Sequence, residues 1–248
     1  MHRFYLPAAE CKTGPLTLAG PEAHHAVRVL RVRAGDKVVI LDGAGREFLC
    51  RIANFDRDKV HLEVVETNSV PPPPCQITLL QALPKGKIID SIIQKATELG
   101  VARIVPLLAE RVVVEIDEKR AGRKADKWQH VAIEAIKQCG AAWLPQVEPP
   151  VTPREFLARK EKFELPLVGS LHPGAQHPRK YFQKFETDHG RKPKSACVWI
   201  GPEGDFTPEE ITTITAAGAL PITLGKLVLR VETAATYCLS FLNYELSA

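Results

Sequence analysis

The sequence predicts an α/β protein in two parts: a C-terminal domain with a mostly parallel, doubly wound sheet, preceded by a small β-barrel or sheet. Three observations carry this. From Gln76 onward, apolar runs of strand composition alternate with amphipathic helical stretches, the pattern of βαβ units. Residues 1–70 offer mainly short strand-like runs. Between the two lies Val70-Pro71-Pro72-Pro73-Pro74, which can continue neither a helix nor an inner strand and holds an extended spacer. The expected division is therefore 1–70, a proline-rich linker 71–75, and 76–248.

In chain order, the first element is a helix over Pro21–Arg33, ended by Gly35. Its Arg28 and Arg31 are expected to share a face, either following a phosphate backbone or forming a solvated basic surface. The neighbouring His24 and His25 have no carboxylate or cysteine partner at useful spacing and read as cap or packing residues. Strands follow at Lys37–Leu41, Glu47–Ala53 and Val60–Val65, with Asp42-Gly43-Ala44-Gly45 as a turn.

Beyond the prolines, Gln76–Leu83 reads as a strand. Ile88, Ile89, Ile92, Ile93, Ala96 and Leu99 then share a helix face that Gly100 stops, and Val101–Leu108 is the returning strand. A longer helix over Lys124–Cys139 carries the stripe Trp128, Val131, Ala132, Ala135, Ile136 and Cys139, with Lys124, Lys127 and Lys137 off it. Thr152-Pro153-Arg154-Glu155 has the form of a helix cap, and Leu165–Leu171 is a strand ending at His172-Pro173-Gly174. The polar, basic stretch 175–195 reads as an exposed loop. Tyr181, Phe182 and Trp199 have the chemistry either to stack on bases or to fill a core.

Composition excludes several classes. The 248 residues, 45% of them hydrophobic, can build one large core or two smaller ones. No apolar run approaches the roughly twenty residues that span a bilayer, and Met1–Pro7 lacks a signal-peptide core, so the cytosol is the expected compartment. The six cysteines are scattered, without Cys-x-x-Cys or metal-ligand spacing, and are expected to be reduced and structural, with no metal. A net charge of +4 permits a polyanionic partner without demanding one.

The chemistry concentrates near the C-terminus. Val198-Trp199-Ile200 is a strand end, Gly201-Pro202-Glu203-Gly204 a tight loop, and Thr207-Pro208-Glu209-Glu210 a capped helix start. Glycines there let main chain approach a flat ligand. Ile222–Leu224, Gly225 and Lys226–Arg230 repeat the arrangement before a helical tail. Leu171, Ile200 and Leu224 end three strands of a sheet whose ligand is expected outside their carboxyl ends. Neither glycine loop has the lysine and hydroxyl residue of a P-loop or the pattern of a dinucleotide fold, so a nucleoside ligand without a phosphate chain fits best.

Ile200-Gly201-Pro202-Glu203-Gly204, followed by Leu224-Gly225 and Leu229-Arg230-Val231-Glu232-Thr233, resembles the S-adenosylmethionine (SAM) site of the SPOUT (trefoil-knot) RNA methyltransferases. Within them the chain is similar to the ribosomal small-subunit methyltransferase E family, which makes 3-methyluridine in 16S rRNA. Arg28-Val29-Leu30-Arg31, Gln94–Val101, Glu110-Arg111 and Leu171-His172-Pro173 extend the likeness over essentially the whole chain.

The resemblance implies a PUA-like N-terminal domain, a knotted C-terminal domain and a homodimer with sites near the interface. It places SAM against Leu171, His172, Ile200, Gly201, Pro202, Glu203, Gly204, Leu224, Gly225 and Leu229. It assigns Arg28, Arg31, Lys95 and Arg111 to RNA. In the implied reaction, methyl transfer to uracil N3, Arg230 steadies the charge that develops on the carbonyl oxygens or holds the nucleotide's phosphate, and Glu232 or Glu203 takes the proton or orients Arg230. Departures from the family pattern are Ala141 and Lys226 where arginine is usual, and Glu115 where a basic residue is common. Two other readings remain open: a related methyltransferase acting on tRNA or another rRNA position, and an RNA-binding assembly factor without turnover.

Overall fold

The computed structural model describes residues 1–11, 14–112 and 118–246, so Glu115 lies outside the described residues. The chain forms two compact units. One comprises Met1–Pro72 with Ile133–Leu144, the other Pro73–Ala132 with the residues from Pro145 on.

In the first unit, β1 (His2–Tyr5), β2 (Leu16–Ala19), β3 (Lys37–Leu41), β4 (Arg46–Asp56) and β5 (Lys59–Ser69) form a sheet of order β1-β3-β4-β5-β2. It is antiparallel except where β1 lies beside β3. Register shifts at Leu49/Cys50 and Ile52/Asn54 bend the long β4–β5 ribbon, and the sheet curls over Phe4, Leu18, Ile40, Cys50, Ile52 and Leu62.

The helix expected over Pro21–Arg33 is shorter. α1 (Gly20–His24) continues only through a widened turn, His25–Val29, after which Val32 N donates to Ala26 O at 3.2 Å. Arg31 sits at φ 53°, in the left-handed region, so it and Arg28 do not share a helix face. Burial explains the break: Val32 must turn back into the core beside Ala26, and a continued helix would carry it away. His25 packs edge-on against Phe4, with ring centroids 6.2 Å apart, the packing role expected of it.

Ile133–Leu144 joins this unit through polar contacts. Lys137 is buried, contrary to its expected place off the apolar stripe, and its ammonium donates to Glu22 at 2.7 Å and Glu134 at 2.8 Å. Burial alone would favour losing the proton, but the two carboxylates outweigh it and hold the Lys137 pKa above its ordinary value. Trp143 Nε1 donates to the carbonyls of Val70 and Pro71, both at 3.1 Å. Its ring fills the space beside Gly45, where a Cβ would lie 2.5 Å from an indole carbon.

The second unit carries a six-stranded, wholly parallel sheet of order β11-β9-β10-β6-β7-β8. In chain order its elements are β6 (Gln76–Ala82), α2 (Ile88–Glu98), β7 (Arg103–Leu107), α3 (Glu118–Cys139), β8 (Gln146–Val147), α4 (Pro153–Ala158), β9 (Leu165–Gly169), α5 (Pro178–His189), β10 (Ser195–Ile200), α6 (Pro208–Ala216), β11 (Leu220–Ile222) and α7 (Val231–Leu246). One face packs Leu80, Val105, Phe156, Val168 and Ile214 around Trp199, which meets Phe156 and Phe206 edge to face. Trp199 is therefore a core residue. On the other side α7 lies against α2, β6 and β10. Both helix starts expected from capping patterns have full capping boxes, Thr152 with Glu155 and Thr207 with Glu210.

The stretch 175–195, expected as a loop, contains α5. His177 accepts from Arg179 N at its start, Gly190 ends it at φ 66°, and Phe182 and Phe185 are buried. Much of its charge is locally matched, Lys184 by Asp188 and Arg191 by Glu164. No helix among the described residues is long and apolar enough to cross a membrane.

The thiols provide a test of this packing. Cys11, Cys50, Cys75, Cys197 and Cys238 are buried and Cys139 is exposed. Burial pushes the thiol of Cys11 up to about 11 and those of Cys50, Cys75 and Cys197 up to about 12, so at neutral pH they stay protonated and unreactive. A soluble aromatic disulfide should label only Cys139 in the native protein and all six cysteines after denaturation. Rapid labelling of a second native thiol, located by peptide mapping, would contradict the packing.

Candidate functional site

The strand order decides where a site can form. From β6 the chain proceeds to β7 and β8 on one side, while β10, β9 and β11 extend the sheet on the other, so the direction of winding changes between β10 and β6. Loops leaving neighbouring parallel strands on the two sides of such a point diverge and leave a crevice. A cavity of about 780 Å³ lies here, walled by the segments that follow β9, β10 and β11, by the start of α7 and by Ile88 of α2.

Three chain reversals build the walls. After β9, Ser170 N donates to Ile222 O at 3.0 Å and Ser170 Oγ accepts from His172 N at 3.2 Å, which brings Leu171 and His172 over the opening. Leu171 lies two residues beyond the end of its strand and is exposed, rather than ending the strand as expected. After β11, Leu224 is likewise two residues past the strand end. Thr223 Oγ1 and Gly225 exchange hydrogen bonds, with Gly225 at φ 115°, a conformation that favours glycine. Packing is close at the end of β9: a methyl group on Gly169 would stand 3.5 Å from Ile200 and 3.9 Å from Leu224.

The loop after β10 explains its first glycine differently from the sequence. A Cβ on Gly201 would come within 2.8 Å of Asp205 Oδ1 and 3.0 Å of Phe206 N, so the loop's own return excludes a side chain, whatever binds beside it. Asp205 N donates to Pro202 O at 2.9 Å, and Asp205 Oδ1 accepts from Phe206 N at 2.8 Å, closing the reversal.

Leu171, His172, Ile200, Gly201, Pro202, Glu203, Leu224, Gly225, Leu229, Arg230 and Glu232 all line the cavity. Gly204 does not, and its carbonyl accepts from Arg111 outside the lining. Ser170, Asp205, Thr223, Lys226 and Val228 also line it without having been singled out as ligand contacts, as does Ile88, which its apolar helix stripe had disguised. Adjacency to the glycine segments was the available signal for the first five. For Ile88 there was none, because its place depends on the sheet order.

Chemically, the walls combine aliphatic side chains with loop main chain and a few charges. Arg230 precedes α7, where its carbonyl accepts from Ala234 N at 2.8 Å, and Glu232 stands in the first helical turn. Glu203 Oε1 accepts from Lys85 N at 2.9 Å and is thereby tied to the β6–α2 loop. Among the described residues Arg230 pairs with neither Glu203 nor Glu232, so a salt bridge to it is not what holds these acids. Of the residues expected to meet RNA, Arg28 and Arg31 are exposed on the first unit and Lys95 is exposed on α2.

Comparison with known proteins adds a family context. Residues 71–243 match the model of an RNA methyltransferase domain, and residues 18–65 match that of an RNA methyltransferase PUA domain. The chain is 32% identical over 230 residues to the ribosomal RNA small subunit methyltransferase E of Bacillus subtilis, covering 92% of this chain and 90% of that protein. For the protein of the same name in Synechocystis the identity is 34% over 233 residues, covering 92% and 72%. The crystal structure of a ribosomal RNA small subunit methyltransferase E from Neisseria gonorrhoeae bound to S-adenosyl methionine superposes with a TM-score of 0.84 at 29% identity, over 98% of this chain and 97% of that one.

Proposed function

Because the chain belongs to the ribosomal RNA small subunit methyltransferase E family, we propose that it methylates 16S rRNA in the cytoplasm with SAM as donor, at the ring nitrogen N3 of one uridine. The observation that carries the reading is the cavity at the carboxyl ends of β9, β10 and β11. Its volume suits a ligand of nucleoside size. Aliphatic Leu171, Ile200, Leu224 and Leu229 suit the faces of an adenine, and the main chain around Gly201 is placed for hydrogen bonds to its edge. No phosphate-binding loop is present in the sequence, which agrees with a sulfonium nucleoside. Bound there, SAM supplies an electrophilic methyl group.

The chain's own residues then have three tasks. The walls hold donor and base in line, which by itself accounts for much of the rate in two-substrate transfers. Arg230, on the wall and without an acidic partner among the described residues, stabilises the negative charge that spreads over the uracil carbonyls as N3 loses its proton. Glu232 takes that proton or orients Arg230. With Glu203 engaged by Lys85 N, Glu232 is the freer of the two acids. The N-terminal domain, through Arg28 and Arg31, and Lys95 on α2 contact RNA phosphates, an arrangement whose affinity falls with salt.

The same reading includes a homodimer. Leu171, Leu227 and Val228 on the cavity wall are 63%, 78% and 77% exposed, and Tyr237 and Tyr244 are 47% and 80% exposed on α7. Tyr237, Phe241 and Tyr244 follow helical spacing and share a face. An exposed apolar surface of this kind marks a protein contact, and the contact we assign is a second copy of the chain.

Unmodified 16S rRNA incubated with enzyme and labelled donor should gain one methyl group on a uridine, located as 3-methyluridine by mass spectrometry. Label in tRNA or at another base would replace the substrate, and no incorporation with intact RNA binding would favour an assembly factor. Arg230→Ala should leave donor affinity within about threefold while turnover falls about a hundredfold; normal turnover would remove Arg230 from the reaction. In sedimentation the protein should run as a dimer and Val228→Asp should shift it towards monomer, whereas a monomeric wild type would refute the dimer.

A further inference from the structure

The β10–α6 loop forms one wall of the cavity, yet much of what holds it comes from residues that do not line the cavity. Arg111 Nη1 donates to Gly204 O. The stem of Arg111 lies across the same residue, with its Cδ 3.4 Å from where a Gly204 Cβ would stand. Its neighbour Glu110 donates its backbone N–H to Glu210 Oε1 at 3.0 Å, while Glu210 Oε2 accepts from Thr207 N at 2.9 Å. Glu210 is thus both the capping residue of α6 and a bracket to the segment after β7, and it is buried.

Such outside support has a physical reason. Between Gly201 and Thr207 the loop has few bonds of its own, and Asp205 sits at φ 60°, a left-handed conformation that costs a residue with a side chain some free energy even where, as here, its carboxylate accepts locally from Phe206 N. The Gly204 carbonyl lies next to Asp205, so a cation fixed on that carbonyl acts directly on the strained link.

We propose that Arg111 is a positioning residue for the methyl-donor site, acting through the Gly204 carbonyl to keep the Pro202–Asp205 wall in the shape that receives the donor. The inference rests on the donor reading of the cavity, and it replaces the RNA contact that the sequence suggested for Arg111. One of its guanidinium N–H groups is engaged by the loop. Glu110 and Glu210 complete the support, so the stretch after β7 contributes to a cavity that it does not line.

Calorimetry and steady-state kinetics on the full-length protein separate the two roles. Arg111→Ala should weaken donor binding about tenfold, the loss of one charge-assisted hydrogen bond, and raise the KM for donor by a similar factor. At saturating donor kcat should return, and the KM for rRNA and its salt dependence should match the wild type. Arg111→Lys, which keeps one N–H donor on a long stem, should restore donor affinity. Unaltered donor affinity in Arg111→Ala, with a raised KM for rRNA and a flatter salt slope, would overturn the proposal and return Arg111 to the RNA. Failure of the wild type to bind donor would instead strike the reading of the cavity.

Discussion

The site depends on one constraint of the parallel sheet: every strand ends on the same edge, so each return of the chain must begin there. With β9 and β10 side by side and β11 outside them, three reversals that are far apart in sequence open within a few ångströms of each other. Side chains alone could not achieve this. The cavity walls are short loops with apolar tips, and they keep their separation because the strands beneath them are hydrogen-bonded in register, Ser195–Ile200 against Gln76–Gln81 and Leu165–Val168 against Ala196–Trp199. Trp199, edge to face with Phe156 and Phe206, ties the end of β10 to α4 and to the loop before α6.

Electrostatics then refines what the sheet places. Glu203, Glu210 and Arg111 each use a charge to hold a backbone group rather than another side chain, an economical way to fix a loop because the main chain cannot rotate away. Lys137 in the first unit is the contrasting case, a buried ammonium kept charged by two side-chain carboxylates. Arg230 and Lys226 both line the cavity, and among the described residues Arg230 pairs with neither Glu203 nor Glu232.

How far the sequence revealed this depended on the range of the interaction. Both capping boxes, the strand Lys37–Leu41 and the glycine turns were legible because each is settled within a few residues. The strands β1, β2 and β8 were not, since two to four residues carry no measurable period and exist only because a neighbour supplies their hydrogen bonds. In α5 the density of charge hid Phe182 and Phe185, although His177-Pro178 and Gly190 were ordinary start and stop signals. Arg31 looked helical until the burial of Val32 was known. At the site, the glycine motifs disclosed most of the wall, whereas the contact of Arg111 with Gly204 joins two loops whose proximity nothing local announces.

The indole of Trp143 carries a consequence for how such chains diverge. It occupies the volume that a side chain at position 45 would need, and its single N–H serves two carbonyls at the start of the proline segment. The dependence runs one way. A descendant that shrinks the aromatic ring leaves two carbonyls to be served by water but still needs glycine at 45, whose φ of 92° and whose Cβ position 2.9 Å from the Val70 carbonyl do not involve the ring; a side chain at 45, by contrast, would also displace the tryptophan.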